Sequence, residues 1–428
     1  MARRLSVRGP HFHARKQDIL RLDCGSVFPK RHKPLAAVFS CRDASASSVK
    51  LEAHRDVNSV IRFWKVLPLV VVAMMVAGCG KFFVPQTSSG GGGTNTGNYL
   101  YAANVTTSSI AGFAVGTSAL SVVSGSPNTL GVAPSSIAVT PSGDFLYASS
   151  LGGAVYGYSI GTGGALTLLN SGSPVVSELS AAAIQIDPTG SWLVAVDLTP
   201  AAYLFSINAT TGALTSEGSI PLDAGTPNQI VFTPNNSSVY VSLQTGGVDI
   251  LSFNSTTGAL SGPSGKLAPL ATVNADLGLA VDPASKYLFV TETGQNGVRV
   301  LTIGTAGALK EISGSPYTTG LGPSSVLVDS TGSYVYVANK TANNISAFLL
   351  GTTGGLTAVS GSPFTTGTTP VALAEDVGDT HIAVVCSGGN PDMQVFTIST
   401  TTPGALTAFA TATTGTDPTG AVAIAAAK

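Results

Sequence analysis

Charge is scarce in this chain: Asp, Glu, Lys and Arg make up 10% of its 428 residues. What charge there is divides by position. Residues 1–96 carry 15 Lys and Arg against 5 Asp and Glu, whereas residues 97–428 carry 6 against 17. A basic leader therefore precedes an acidic body, and an acidic body without a basic stripe argues against nucleic acid as the partner, because phosphate binding needs clustered Lys and Arg. Cysteine is also rare. Of Cys24, Cys41, Cys79 and Cys386, only the last lies beyond residue 96, so no disulfide can staple the body internally and its stability must come from packing. The body holds one His, His381, and one Arg, Arg299. It has no Cys/His set at metal-ligand spacing and no Gly-rich phosphate loop that follows a strand and opens a helix, so neither a metal nor another cofactor is expected. What the chain does have is 50 Gly, 24 Pro and 44% hydrophobic residues, with a mean hydropathy of +0.34. This is the composition of turns and aliphatic strands, far too apolar for disorder.

Residues 1–60 are basic and share nothing with the rest of the chain. Arg62-Phe63-Trp64-Lys65, an apolar run from Val66 to Val76, and Val76-Ala77-Gly78-Cys79 then have the order of an export signal: positive region, short apolar core, small residues before a cleavage point. The run is too short to span a bilayer comfortably. An export signal belongs at an N-terminus, so translation is expected to start near Val57 or Val60, with residues 1–60 a gene-model extension. Residues 61–79 form the signal. Residues 80–97 include Gln86 to Asn95, a Gly/Ser/Thr tract that cannot bury a core and reads as a flexible tether.

From Asn98 onward a unit of about 47 residues recurs, most cleanly at Pro323 to Pro363. Each copy opens with a short apolar strand (Pro134-Ser135-Ser136-Ile137, Pro227-Asn228-Gln229-Ile230, Pro323-Ser324-Ser325-Val326). Turn residues end it (Pro141-Ser142-Gly143, Pro188-Thr189-Gly190, Ser330-Thr331-Gly332). Such residues set or tolerate hairpin angles, so the next run returns antiparallel. That second strand is aromatic and β-branched (Trp192 to Val196, Tyr287 to Thr291, Tyr334 to Ala338, Thr380 to Val385), as a strand packed on both faces requires. A third, alternating strand comes next, then a Gly before Leu (Gly164, Gly212, Gly258, Gly307, Gly404). A fourth strand ends in Ser-Gly-Ser-Pro or a relic of it. Four antiparallel strands at this period predict a propeller blade. The body opens at Asn98-Tyr99-Leu100-Tyr101 with a second strand and closes at Pro418 to Ile424 with a first. The last strand should therefore pair with the first three to complete one composite blade. Residues 98–428 are thus expected to form one all-β, seven-bladed β-propeller, as a monomer.

Two stretches resemble known families. Val76-Ala77-Gly78-Cys79 resembles the lipobox of bacterial lipoproteins, which implies lipidation at Cys79 and anchoring in the cell envelope, on its periplasmic or surface side. Tyr336-Val337-Ala338-Asn339 with the preceding Val328 to Gly332 looks like the Tyr-Val-Thr-Asn repeats of bacterial surface propellers. The whole body, down to Ser360-Gly361-Ser362-Pro363-Phe364, is similar to the lactonase-like seven-bladed propellers, whose enzymatic members hydrolyse 6-phosphogluconolactone or related cyclic sugar acids.

Lactone opening needs a base for water and positive or hydrogen-bonding groups for the developing oxyanion. The family's active members place His and Arg where inner strands start. Here those starts read Ser135-Ser136, Ala182-Ala183, Asn228-Gln229, Ser324-Ser325 and Val371-Ala372. The remaining candidates are Glu292 and Arg299 as catalytic groups, which could equally form a structural ion pair, and Lys340, Asp197 and His381 as binding groups. Lys340 and Asp197 fall where loops reach the ring's mouth, and His381 aligns with the packing residues Tyr334 and Trp192. Cys386 aligns with Asn339. Two readings are open. One is a non-catalytic envelope lipoprotein that presents a propeller face to an unknown small molecule or protein; the other is a lactone hydrolase acting at the mouth of the central channel.

Overall fold

Each hairpin starts from a side chain that supplies partners to its own turn. In the computed structural model, which describes residues 97–271, 278–415 and 419–428, the inner strand of a unit ends in Asp or Thr. That residue accepts the amides four and five positions further on. Asp329 Oδ1 takes Ser333 N–H at 2.8 Å and Tyr334 N–H at 2.7 Å. Asp187 does the same for Ser191 and Trp192, and Asp376 for Thr380 and His381. In two units Thr140 and Thr233 stand in the same place. Short polar side chains that bind nearby backbone favour turns for this reason. The leader, the export signal with Cys79, and the tether up to residue 96 lie outside the described residues.

Seven antiparallel sheets result. From the inside outward, blade 1 is Ala421–Ala427, Tyr99–Asn104, Ser109–Val115 and Leu120–Val122. Blade 2 runs Ser136–Val139, Phe145–Ser150, Ala154–Ile160 and Leu166–Leu168. Blade 3 is Ala181–Ile186, Trp192–Asp197, Ala201–Ile207 and Leu214–Pro221, and blade 4 is Gln229–Phe232, Ser238–Ser242, Val248–Asn254 and Ala259–Leu267. Blade 5 comprises Leu279–Val281, Tyr287–Glu292, Gly297–Ile303 and Leu309–Glu311. Blade 6 comprises Pro323–Val328, Tyr334–Asn339, Asn344–Leu350 and Leu356–Ala358. Blade 7 is Pro370–Glu375, His381–Cys386, Met393–Ile398 and Leu406–Ala412. The expected closure is present. The last strand pairs antiparallel with the first, from Tyr99 opposite Ala427 to Asn104 opposite Ala421. Among the described residues the only helical pieces are three-residue turns.

The outer strands differ from the sequence expectation. In blades 1, 2, 5 and 6 the fourth strand is three residues long. Ser-Gly-Ser-Pro does not end it but turns the chain back, so that two further residues pair with the third strand. Blades 3, 4 and 7 instead run one bulged outer strand.

The Gly before Leu also has a role beyond its turn. Gly212 has φ +67°, and a Cβ there would stand 2.6 Å from the ring of Phe145 in the preceding blade. Its carbonyl accepts the hydroxyl of Tyr147 at 2.7 Å. Tyr101 reaches Gly164 O, Tyr240 reaches Gly307 O and Tyr336 reaches Gly404 O in the same way. Where the tyrosine is missing, Trp192 Nε1 donates to Ser255 O and Tyr287 to Thr352 O. A buried phenol needs such a partner. The central tyrosines Tyr101, Tyr147, Tyr240 and Tyr336 are essentially inaccessible, and burial pushes their hydroxyl pKa values upward.

Strand pairing also fixes which residues share an end of the ring. Ala181 lies opposite Asp197, Pro323 opposite Asn339 and Pro370 opposite Cys386. The ends of second strands and the starts of inner strands therefore form one face, the upper face. The starts of second strands, with the Asp-closed hairpins, form the lower face.

Candidate functional site

Blade 5 joins three charged side chains, two of them buried. Glu292 ends its second strand and is 0% exposed; Arg299, opposite Val290 on the third strand, is 4% exposed. Their side chains meet at 3.2 Å between Nη1 and Oε1. Arg299 also binds Glu311 of the outer strand through two nitrogens, at 2.8 and 3.3 Å, and donates to Ala268 O at 2.9 Å. Leu270 N–H donates to Glu292 Oε1 at 3.3 Å, and Ser315 Oγ to Glu311 Oε1 at 2.7 Å. Burial alone would raise the Glu311 carboxyl, but hydrogen bonds from Arg299 and Ser315 and the guanidinium charge hold it below its usual value. Oε2 of Glu292 is buried with no partner among the described residues.

The pair has counterparts at the same places in other blades. Asn339 and Ser346 of blade 6 meet at 2.9 Å, and Asp197 and Tyr203 of blade 3 at 3.2 Å. In five blades a side chain at one of these two places grips the backbone arriving from the preceding blade. In blade 4, Asp249 accepts Asp223 N–H at 2.8 Å; in blade 6, Ser346 accepts Gly320 N–H at 3.2 Å; in blade 7, Gln394 accepts Gly367 N–H at 2.9 Å. In blade 1, Asn104 donates to Thr419 O at 3.0 Å. Arg299 to Ala268 and Leu270 to Glu292 are the blade 5 version. The arrangement is a clasp on the crossovers that enter blades 1, 4, 5, 6 and 7, made from an ion pair in blade 5, a carboxyl in blade 4 and amides or a hydroxyl in blades 1, 6 and 7. The sequence signal was the spacing: Glu292 to Arg299 and Asn339 to Ser346 are both seven residues apart. Glu311 and the two backbone partners, on other strands and crossovers, gave no such signal.

The remaining candidates do not join this pair. Lys340 is exposed on the upper rim of blade 6, where its amide donates to Gly322 O at 2.7 Å. Asp197 closes a turn in blade 3, two blades away, taking Thr199 Oγ1 at 2.8 Å. His381 sits on the lower face. Its Nδ1 lies 3.1 Å from Asp376 and 2.9 Å from Thr380 Oγ1, and its ring centroid lies 4.4 Å from that of Phe409, the two rings tilted by 50°. Burial would raise the Asp376 carboxyl, yet hydrogen bonds from Asn98, Thr380 and His381 hold it low. The Asn98 bond, 2.6 Å, ties blade 1 to blade 7 across the closure. Cys386 is buried, which pushes its thiol up to about 11 and leaves it inert. No group of three metal-ligating side chains occurs among the described residues.

The fold is an all-β, seven-bladed propeller with four antiparallel strands per blade. Three solved structures share it. A protein from Lactobacillus plantarum is 19% identical with a TM-score of 0.63, the match covering 78% of this chain and 99% of that one. A candidate 6-phosphogluconolactonase from Bacteroides uniformis is 16% identical (TM-score 0.62; 77% and 99% covered). The periplasmic gluconolactonase of Pseudomonas aeruginosa is 15% identical (TM-score 0.61; 77% and 99% covered). At these identities the likeness shows the fold. No protein-family model matches the chain, and no curated protein matches it in sequence.

Proposed function

We propose that this chain is a cell-envelope lipoprotein, anchored through Cys79, whose propeller is a non-catalytic binding or scaffold module. The observation that carries this reading is the fate of Glu292 and Arg299. The two side chains that lactone hydrolysis would most need are sealed at 0% and 4% exposure and committed to holding a crossover. A catalytic group must reach its substrate. Support for binding comes from the upper face. Val105, Leu151 and Leu198 follow the second strands of blades 1, 2 and 3 in turn and are 38%, 49% and 47% exposed. The corresponding residues of the next blades are Gln244, Thr293 and Lys340. Exposed aliphatic side chains at one place in three successive blades are apolar surface of the kind that marks a contact site.

The second reading, a lactone hydrolase using Glu292, Arg299 and Lys340, draws on the lactonases among the structural neighbours. Purified full-length chain assayed on δ-gluconolactone and its 6-phosphate separates the two. Turnover no faster than the uncatalysed rate is expected. Hydrolysis by the wild type that is lost in a Glu292→Gln variant with an unchanged melting temperature would overturn the non-catalytic reading. The anchor has its own check: Cys79→Ser should abolish fatty-acid labelling and move the chain from the membrane to the soluble fraction, whereas unchanged labelling would refute lipidation at this residue.

A further inference from the structure

Six of the seven outer edges are guarded against pairing with another chain. In blades 1, 2, 5 and 6 the outer strand is three residues long and the chain then turns away at Ser-Gly-Ser-Pro. Blade 3 has a long outer strand, Leu214–Pro221, but carries Glu217 within it and Pro221 at its end. Blade 4 has Ala259–Leu267, with Pro263 and Lys266. Short strands, charges and prolines are what keep sheet edges from joining. Blade 7 lacks all three. Its outer strand, Leu406–Ala412, is seven residues long and contains neither a charge nor a proline.

This strand is also self-complementary. Thr407-Ala408-Phe409-Ala410-Thr411 reads the same in both directions. In a twofold antiparallel contact residue i of one copy meets residue j of the other and j meets i, so each half of the strand must suit the other half. Antiparallel pairing centred on Phe409 would set Thr407 of one copy opposite Thr411 of the other and Ala408 opposite Ala410. The same operation on blade 3 would bring Glu217 near its own copy, and on blade 4 would bury Pro263, which has no N–H to give. Thr407, Ala408 and Thr411 are exposed. One guard remains. Phe409 is the extra residue of a bulge, since Val395 pairs with Ala410 and Phe396 with Ala408, and its ring turns onto His381. Pairing is therefore confined to the short runs on either side, and the contact is small.

We infer that Leu406–Ala412 is a homotypic contact edge, at which two copies of this chain associate weakly in antiparallel register about Phe409. The occupant is a second copy because the strand matches itself and presents no charge to select another partner.

The full chain in a nonionic detergent, followed by light scattering from about 10 µM to about 1 mM, tests this. The protein mass should rise from one chain toward two across that range. The double variants Thr407→Lys/Thr411→Lys and Thr407→Glu/Thr411→Glu each place like charges opposite one another in this register. Each should stay monomeric alone, while an equimolar mixture should regain the dimer. Both sites are exposed, so melting temperatures should match the wild type. A wild type that stays monomeric at about 1 mM, or lysine and glutamate variants that self-associate as well as the wild type, would overturn the inference.

Discussion

Blades 5 and 6 stand side by side and fill the same two places differently. In blade 6 the end of the second strand and its third-strand neighbour are Asn339 and Ser346, neutral groups that meet at 2.9 Å and hold Gly320. In blade 5 they are Glu292 and Arg299, ions that meet at 3.2 Å and hold Ala268 and Leu270. The task is the same, and the charged version needs a third member, Glu311, to complete the guanidinium's partners. A buried ion pair is attractive only when its remaining hydrogen-bonding capacity is met, and it can cost as much in desolvation as it gains. The lesson is that scarcity of charge in the body made Glu292 and Arg299 stand out in the sequence, whereas in the fold they occupy the same two places in the repeat as Asn339 and Ser346.

The largest test of this equivalence removes one ion. Arg299→Met leaves Glu292 fully buried without its counter-charge and should cost about 3–5 kcal/mol, read as a loss of stability in urea unfolding. Glu292→Leu combined with Arg299→Met removes both charges and should cost less than Arg299→Met alone. A double variant less stable than that single variant would break the comparison, because it would mean that the ion pair contributes something its neutral counterpart in blade 6 does not.

How much of this was legible in the sequence depends on what a repeat records. The period, the hairpins and the closure by Ala421–Ala427 on Tyr99–Asn104 are all local patterns or their end effects, and these appeared as expected. The proximity of Glu292 and Arg299 was also readable, since a short turn joins their strands. The clasp was not. Ala268 and Leu270 reach the pair through the preceding blade's crossover, and no spacing in blade 5 alone encodes that contact. The carboxyl of Glu375 was missed for the same reason, because its environment is assembled from two blades.

Glu375 sharpens the comparison at the next boundary. Between blades 5 and 6 the last residue of the inner strand is Val328, but between blades 6 and 7 the equivalent residue is Glu375, whose Oε2 takes the Ser330 amide at 2.6 Å. Burial pushes its carboxyl up to about 8, against the lowering effect of the Ser330 amide and with help from Asp329, Asp379 and Asp376. The unfolded chain releases this proton near the ordinary carboxylate value and the folded ring holds it until about 8. Stability from this group should therefore be fully present below about pH 4.5 and fall as pH rises to about 8, by on the order of 2 kcal/mol after allowance for solvent screening. Asp376 and Glu311, held low, act only at more acidic pH. Thermal melts should show a melting temperature that declines between pH 5 and 8 in the wild type and a flatter profile in Glu375→Gln, a variant that leaves His381 and its contact to Asp376 in place. Equal slopes in both proteins would remove Glu375 as the cause.

The smallest expected effect lies in the neutral clasp itself. Ser346→Ala deletes a hydroxyl that accepts from Asn339 and from the Gly320 amide. Asn339 keeps Asn344 Oδ1 at 2.7 Å, so its amide is not stranded, and the Gly320 amide is only partly buried. The loss should be about 1 kcal/mol, near that of an ordinary hydrogen bond and several-fold below Arg299→Met. The ratio matters more than either value, because both substitutions cut the same crossover tie. If Ser346→Ala costs as much as Arg299→Met, the tie itself dominates and the charge in blade 5 is incidental to stability. If it costs nothing while Arg299→Met remains severe, the clasp in blade 6 is held by packing alone, and the charged pair in blade 5 must be explained by something other than the shared place in the repeat.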